Sequence, residues 1–232
     1  MRVERLPDAD AAARWAAAYI AERARETLRA RARFVLALSG GSTPLPMYEA
    51  LAHEVLAWER VDLLQADERV APPGSDARNW HQVEQRWLAA VAPAGPRGYP
   101  MPTEAPDLFA AAAEYAQTLV MLAGAPPVLD LVHLGLGDDG HTASLFAGDP
   151  ALDVDDAWVA AAGVHHGYRR MTLTLPTIDR ARCVLWLVCG EGKAAMLARL
   201  VAGDEGTPAG RVPRNHAIVV ADTAAAHLLG HR

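Results

Sequence analysis

The sequence predicts an α/β protein built around a mainly parallel β-sheet. Two observations lead to this fold class: apolar runs alternate with longer helical patterns, and most of the runs lack the polar alternation of half-exposed strands. Such alternation along a chain is typical of parallel sheets with helices on both faces. We expect residues 1–232 to form a single domain, because 232 residues with 51% hydrophobic composition suit one α/β unit.

The predicted strands are short apolar runs at 33–38, 61–66, 130–136, 158–162, 171–175, 182–189 and 217–222. The predicted helices show the helical spacing of apolar positions and lie at 7–32, 45–56, 79–91, 106–122 and 192–201. The segment 92–106 is rich in proline and glycine, and we expect a surface connection there. Ligands of such sheets bind at the carboxyl ends of strands, so the residues after each run are the candidates for function.

Composition and charge argue against two classes of partner. The formal net charge of −6 disfavours a general nucleic-acid surface, so an anionic ligand would need a local cluster of basic groups. The first residues contain no apolar signal region, and no apolar run reaches the roughly 18 residues of a membrane span. We therefore expect a cytoplasmic protein that binds neither nucleic acid nor membrane.

Two cysteines, Cys183 and Cys189, lie at the ends of one predicted strand. Six residues of extended chain span roughly 20 Å, which is far beyond the reach of a disulfide. We expect both to be free, buried thiols.

The segment "SGGSTPLP" follows the first predicted strand. Gly40 and Gly41 permit a tight turn with exposed backbone N–H groups, Thr43 can cap the next helix, and Pro44 suits its first position. Such a turn can bind a phosphate through its N–H groups. A capped turn that binds nothing is the alternative, and a nucleoside-triphosphate loop is excluded because no Gly-Lys-Ser/Thr follows.

Charged side chains follow two further strands. Asp67, Glu68 and Arg69 come directly after 61–66, and on their own they fit a structural salt-bridge cluster. Lys193 follows the run 182–189 and is the only lysine of the chain. A cation at a helix start opposes the helix dipole unless an anion binds there too, which favours a functional role over a solvated surface lysine.

The segment "LGLGDDGHTASLF" (134–146) has the glycine spacing of a dinucleotide-binding loop. A pyrophosphate on that loop would face Asp138 and Asp139, so we reject this interpretation. A metal site made of these two aspartates and His141, joined by His165 and His166, lacks the spacing of a recognised ligand set. Neither a nicotinamide cofactor nor a metal is expected.

Acid–base chemistry fits this segment best. His141 would lie at the start of a helix over 141–146, whose positive end favours a neutral ring that can accept a proton. Asp139 could orient the ring or contact a substrate hydroxyl. A purely structural histidine remains the alternative.

Five segments together resemble the 6-phosphogluconolactonase family: "LSGGSTPLPMYEAL", "DERVAP", "LGLGDDGHTASLF", "RRMTLTLPTI" and "GEGKAAM". The resemblance runs from about Phe34 to the last predicted strand. The related glucosamine-6-phosphate deaminases share the glycine turn and an Asp-Gly-His, but "HTASLF" is more typical of the lactonases. The resemblance implies a Rossmann-like three-layer sandwich without a dinucleotide.

The resemblance also implies residue roles. His141 would be the general base that activates water, and Asp139 and Asp67 would support it. The positions that would bind the sugar phosphate are Gly40, Gly41, Ser42, Thr43, Arg69, Arg170 and Lys193. The implied reaction is hydrolysis of a sugar-phosphate lactone, with a deaminase or isomerase of amino-sugar phosphates, or a non-catalytic sugar-phosphate sensor, as alternatives.

Two residues depart from the family pattern. Arg78 precedes Asn79 where the family more often has serine, and Ala147 replaces a common proline after "SLF". The first departure concerns substrate contacts, and the second concerns the geometry of the expected helix. Arg169 and Arg170 are adjacent in a predicted strand, so only one can face the substrate, and the family pattern selects Arg170.

Overall fold

The computed structural model describes residues 1–230. Its strands are β1 (Arg2–Leu6), β2 (Phe34–Leu38), β3 (Val61–Gln65), β4 (Asp67–Arg69), β5 (Arg97–Gly98), β6 (Leu131–Leu134), β7 (Val159–His165), β8 (Tyr168–Leu173), β9 (Val184–Val188) and β10 (Ala217–Asp222). Its helices are α1 (Ala9–Ala30), α2 (Leu45–Leu51), α3 (Asn79–Val83), α4 (Ala89–Val91), α5 (Leu108–Ala123), α6 (Leu175–Asp179), α7 (Ala194–Ala202) and α8 (Thr223–Ala226). A π-helical turn (Glu84–Leu88) joins α3 to α4.

Seven strands form one parallel sheet in the order β1-β10-β9-β6-β2-β3-β5. The other three form a small antiparallel sheet in the order β4-β8-β7. Helices cover both faces of the parallel sheet, which confirms the predicted α/β sandwich. Within residues 1–230, no helix is long and apolar enough to cross a membrane.

Alternate side chains of the central strands pack into two apolar layers. On β9, Trp186 faces the layer that contains α5 and α7, whereas Leu187 faces the layer that contains α1 and α2. Successive side chains of a strand point to opposite faces, so a strand covered on both faces must be apolar throughout. This requirement explains the uninterrupted apolar runs. Cys183 and Cys189 flank β9 as free thiols, as predicted, but only Cys183 is buried, and the expectation of burial is wrong for Cys189, which is partly exposed.

The sequence does not predict β1, β4 or β5. β1 lies at the edge of the parallel sheet, where polar residues interrupt its apolar pattern, and β4 and β5 are too short to show a pattern. The predicted strands 158–162 and 171–175 form, and they become β7 and β8 of the antiparallel sheet. The parallel sheet therefore does not include every predicted strand.

Three expectations about helices are wrong. The segment 141–146 is a series of turns closed by a bridge between Thr142 and Leu145, so the expected helix after His141 does not exist. Consequently, Ala147 cannot alter its geometry. Helix α2 ends at Leu51, short of the predicted 56, and it begins after Pro44 with no side-chain cap from Thr43.

His133 is an unusual residue for the core of the sheet. It lies on β6 and is 1% exposed, and neither ring nitrogen has a hydrogen-bond partner among the described residues. Burial lowers the pKa of His133 from 6.5 to about 3, so the ring is neutral at pH 7. A buried polar group without a partner lowers the stability of the fold.

We predict that His133→Leu raises the free energy of unfolding by about 1 to 3 kcal/mol at pH 7.5, because it removes two unpartnered polar atoms. The gain should grow by about 1 kcal/mol at pH 5.5. His133 has a pKa near 6.5 in the unfolded chain and about 3 in the folded chain, so between pH 7.5 and 5.5 only the unfolded chain takes up a proton there. Acid therefore destabilises the wild type but not the variant at this position. Urea unfolding at both pH values measures this, and an equal difference at the two pH values would contradict it.

Candidate active site

A cavity of about 190 Å³ opens at the carboxyl ends of β2, β6 and β9, beside β4 and β8. The residues of the predicted site that line it are Gly40, Gly41, Ser42, Thr43, Asp67, Arg69, His141, Arg170 and Lys193. Asp139 is outside the lining but is bonded to His141. A larger groove of about 830 Å³ lies between β1 and α7, and none of the predicted site residues line it.

The Asp139 side chain orients His141. The carboxylate oxygen Oδ1 lies 2.5 Å from the ring nitrogen Nδ1 and accepts the His141 backbone N–H at 3.0 Å. Nε2 is therefore the ring nitrogen left for a substrate or water. Gly137 makes the room for this arrangement, because a Cβ at that position would lie 2.0 Å from His141 Nδ1. One glycine of the motif that resembles a dinucleotide loop, Gly137, thus serves the packing of an imidazole.

Burial lowers the pKa of His141, and Arg170 acts in the same direction. The carboxylates of Asp139 and Asp67 raise this pKa without outweighing burial. A neutral ring is therefore favoured, as the sequence predicts, but the physical cause is desolvation instead of a helix terminus. Burial alone would raise the pKa of Asp139, and the bonds from His141 lower it on balance.

Asp67 is held in place by two residues that the sequence argument does not include. Ser144 Oγ donates to Asp67 Oδ2 at 2.7 Å, and Asn79 Nδ2 donates to the Asp67 backbone oxygen at 2.9 Å. Asn79 also explains Gly40, since a Cβ there would lie 2.0 Å from Asn79 Oδ1. Ser39, Asn79 and His133 line the cavity, and no sequence signal singles them out.

Three cationic side chains reach the cavity. Arg69 and Arg170 lie opposite each other on the paired strands β4 and β8. Arg170 is buried and lines the cavity, whereas Arg169 is exposed and lies outside the lining. Lys193 lies at the start of α7, as predicted, and is ion-paired with Asp138.

Glu68 and Arg78 lie outside the cavity lining, and their contacts hold neighbouring parts of the fold together. The fully buried Glu68 carboxylate accepts the backbone N–H groups of Arg69, Asn79 and Trp80, each at 2.8 Å. It thereby joins β4 to the start of α3. Arg78 is buried between Glu68 and Glu104 and is outside the cavity lining, so its departure from the family pattern lies away from the candidate site.

The cluster around His141 could also hold a metal ion. One ligand atom each from Asp139, His141 and His166 lies within 4.8 Å of the others. Two imidazoles and a carboxylate suit Zn²⁺. His165, which the sequence argument joined to this set, is bonded instead to Asp149.

Residues 7–221 match the family described as glucosamine-6-phosphate isomerases/6-phosphogluconolactonase. A 6-phosphogluconolactonase of Synechocystis sp. is 40% identical over 187 residues, which cover 79% of this chain and 78% of that protein.

Two solved structures agree with this match. The 6-phosphogluconolactonase of Trypanosoma cruzi superposes with a TM-score of 0.87 at 25% identity, covering 99% of this chain and 97% of that one. A monomeric glucosamine-6-phosphate deaminase superposes with a TM-score of 0.84 at 22% identity, covering 98% and 100%, and this shows the fold alone. The chain belongs to the glucosamine-6-phosphate isomerase/6-phosphogluconolactonase family.

Proposed function

We propose that this chain hydrolyses 6-phospho-D-glucono-1,5-lactone to 6-phospho-D-gluconate, in the oxidative pentose phosphate pathway. The observation that carries the proposal is the setting of His141: a desolvated imidazole, bonded to a carboxylate, on the wall of a cavity with three cationic side chains. The relatives named above support it. A cytoplasmic location and independence of metals and nicotinamide cofactors stay predictions from the sequence.

The chemistry follows from the position of the ring. A lactone carbonyl is already electrophilic, so hydrolysis needs only an activated water. His141 takes a proton from water through Nε2 as the water attacks C1, while Asp139 holds Nδ1 and stabilises the imidazolium. The imidazolium then protonates the departing ring oxygen. Backbone N–H groups that face C1 stabilise the tetrahedral oxyanion.

The phosphate provides the anchor. Arg69, Arg170 and Lys193 offer charge-assisted hydrogen bonds, and the turn from Gly40 to Thr43 contributes to the same cavity. Binding energy from the phosphate end is thereby converted into orientation at C1.

The charges of the cavity disfavour the deaminase alternative. Among the described residues that line it, Asp67 is the only carboxylate, and it is already bonded to Ser144 and Asn79. An amino-sugar phosphate deaminase would need a further acid–base residue after the histidine segment. A non-catalytic sensor would not need the His141–Asp139 pair.

The direct test is acid release from freshly generated 6-phosphogluconolactone, with the spontaneous rate subtracted, measured with and without EDTA. Loss of acceleration only in the presence of EDTA would contradict metal independence and leave the function standing. We expect acceleration by the wild type and a kcat lower by about 10² to 10⁴ in His141→Ala, with KM nearly unchanged, because the variant loses proton transfer and keeps the anion contacts. His53→Ala, which removes an exposed histidine away from the cavity, is the control. No acceleration by the wild type would refute the function, and a folded His141→Ala with normal kcat would refute this role.

The pH profile tests the Asp139–His141 pair. The base must be neutral, and its pKa is lowered, so the acid limb of kcat/KM should lie below 6.5. Asp139→Asn removes a group that raises this pKa, so the limb should move to lower pH while kcat falls. Asp138→Asn, whose carboxylate contacts Lys193 instead, should leave the limb in place. A limb that does not move in Asp139→Asn would contradict the pairing.

Lys193 tests the phosphate anchor. We expect Lys193→Ala to lower kcat/KM for the phosphorylated lactone about tenfold, near the low end for a charged hydrogen bond because phosphate must displace Asp138. The unphosphorylated lactone should be almost unaffected, and Lys193→Arg should restore only part of the loss. Arg29→Ala removes one exposed positive charge elsewhere and serves as the control. If the ratio of kcat/KM for the phosphorylated over the unphosphorylated lactone is the same in Lys193→Ala and the wild type, Lys193 does not contact the phosphate.

A further inference from the structure

Two further rings stack with the ring of the proposed base. The Phe146 ring lies between two histidine rings, with its centroid 4.2 Å from that of His141 and 3.8 Å from that of His165. The ring planes differ by 25° and 8° respectively. Phe146 and His141 belong to the turns after β6, whereas His165 ends β7. The stack therefore connects the candidate active site to the small antiparallel sheet.

A buried carboxylate holds the far end of the stack. Asp149 Oδ2 lies 2.6 Å from His165 Nε2 and accepts the Gly163 N–H at 2.9 Å, and Oδ1 accepts the Ala151 N–H at 2.9 Å. Burial alone would raise the pKa of Asp149, but these donors lower it on balance, so the carboxylate is ionised. The two backbone N–H groups hold the carboxylate in place, and the carboxylate bonds to His165 Nε2.

Arg170 closes the arrangement from the side of the cavity. Its guanidinium carbon lies 5.4 Å from the centroid of the Phe146 ring, a cation–π distance. Its Nε and Nη2 donate to the His165 backbone oxygen at 3.2 and 3.0 Å. The stack thus contacts two charged side chains, Asp149 at the His165 ring and Arg170 at the Phe146 ring.

The Asp139 bond alone does not fix the direction of His141 Nε2. A hydrogen bond tolerates some misalignment, so the ring can still rotate to a degree about its χ1 and χ2 torsions, and Nε2 moves with it. Stacking on Phe146 sets the plane of the ring and stops this rotation. Displacement of a catalytic atom by about 1 Å is enough to reduce a rate severely.

We propose that Phe146 and His165 are positioning residues for His141, with Asp149 as their anchor. The proposal rests on the lactonase function proposed above. The proposal gives a role to the Asp149–His165 pair, which does not touch the reacting atoms. This pair holds the Phe146 ring, and the Phe146 ring holds His141.

Variants of the full chain that differ in ring content test the proposal. Phe146→Leu and His165→Ala each remove one ring, whereas His165→Phe keeps the ring and loses the bond to Asp149, which retains two backbone donors. The readouts are kcat and KM for the lactone, and the NMR shifts of the His141 ring protons, assigned by comparison with His141→Ala. The ring current of Phe146 displaces these shifts, so they report stacking without activity.

We expect both ring-removing variants to lower kcat about tenfold, equivalent to about 1.4 kcal/mol, with KM within about twofold of wild type. Phe146→Leu should also lose the displaced His141 shifts, and His165→Ala should broaden or move them. His165→Phe should lie between His165→Ala and the wild type in kcat and in the shifts, because it keeps the stacked ring and loses only the bond to Asp149. A role in stability alone would lower the free energy of unfolding of His165→Ala without lowering kcat of the folded enzyme or moving the His141 shifts.

Two results would overturn the proposal: His165→Ala with wild-type kcat and shifts, or His165→Phe as impaired as His165→Ala. If Phe146→Leu does not fold, His165→Ala decides, since the His165 side chain is 25% exposed and truncation there is tolerated more readily. If the wild type has no lactonase activity, the proposed function fails, and the NMR shifts still decide whether the stack sets the His141 ring.

Discussion

The candidate site depends on one buried carboxylate that is not part of the site. Glu68 accepts hydrogen bonds from the side chain of Gln65 at 2.7 Å and from three backbone N–H groups at 2.8 Å. A buried charge is tolerated only when it is satisfied in this way, and removing its donors would leave it uncompensated. The constraint fixes β4 against α3. It thereby sets Asp67, Arg69 and Asn79 at one edge of the cavity.

The small antiparallel sheet supplies what the parallel sheet cannot. Parallel strands bring the glycine turn, the His141 segment and Lys193 to one edge, because their carboxyl ends meet there. The pairing of β4 with β8 adds Arg69 and Arg170, opposite each other in register. Like charges on paired strands destabilise a sheet, so this edge is suited to an anion that lies between them.

The sequence predicts the parts of this molecule that depend on local pattern. Apolar runs predict the central strands. The position of His141, close to two aspartates and after a predicted strand, places it at the edge of the sheet where ligands bind. The contacts of Glu68, Ser144 and Asn79 escape prediction because their partners lie elsewhere in the chain and meet only in the folded protein. The helix expected over 141–146 fails for a related reason: Thr142 Oγ1 bonds to the Gly135 carbonyl and Ser144 N bonds to Thr172 Oγ1, which hold the segment in turns.

Lys193 is ion-paired with Asp138, so a carboxylate of the protein itself competes with a bound anion for this lysine. If Lys193 binds the phosphate, as we propose, the phosphate must replace Asp138 there, and the affinity it gains is the difference between two ion pairs. On the same proposal, the Asp138 carboxylate can return to Lys193 as the phosphate departs. The product of the reaction carries more negative charge than its substrate. A protein carboxylate that can replace the phosphate on Lys193 therefore favours release of the product.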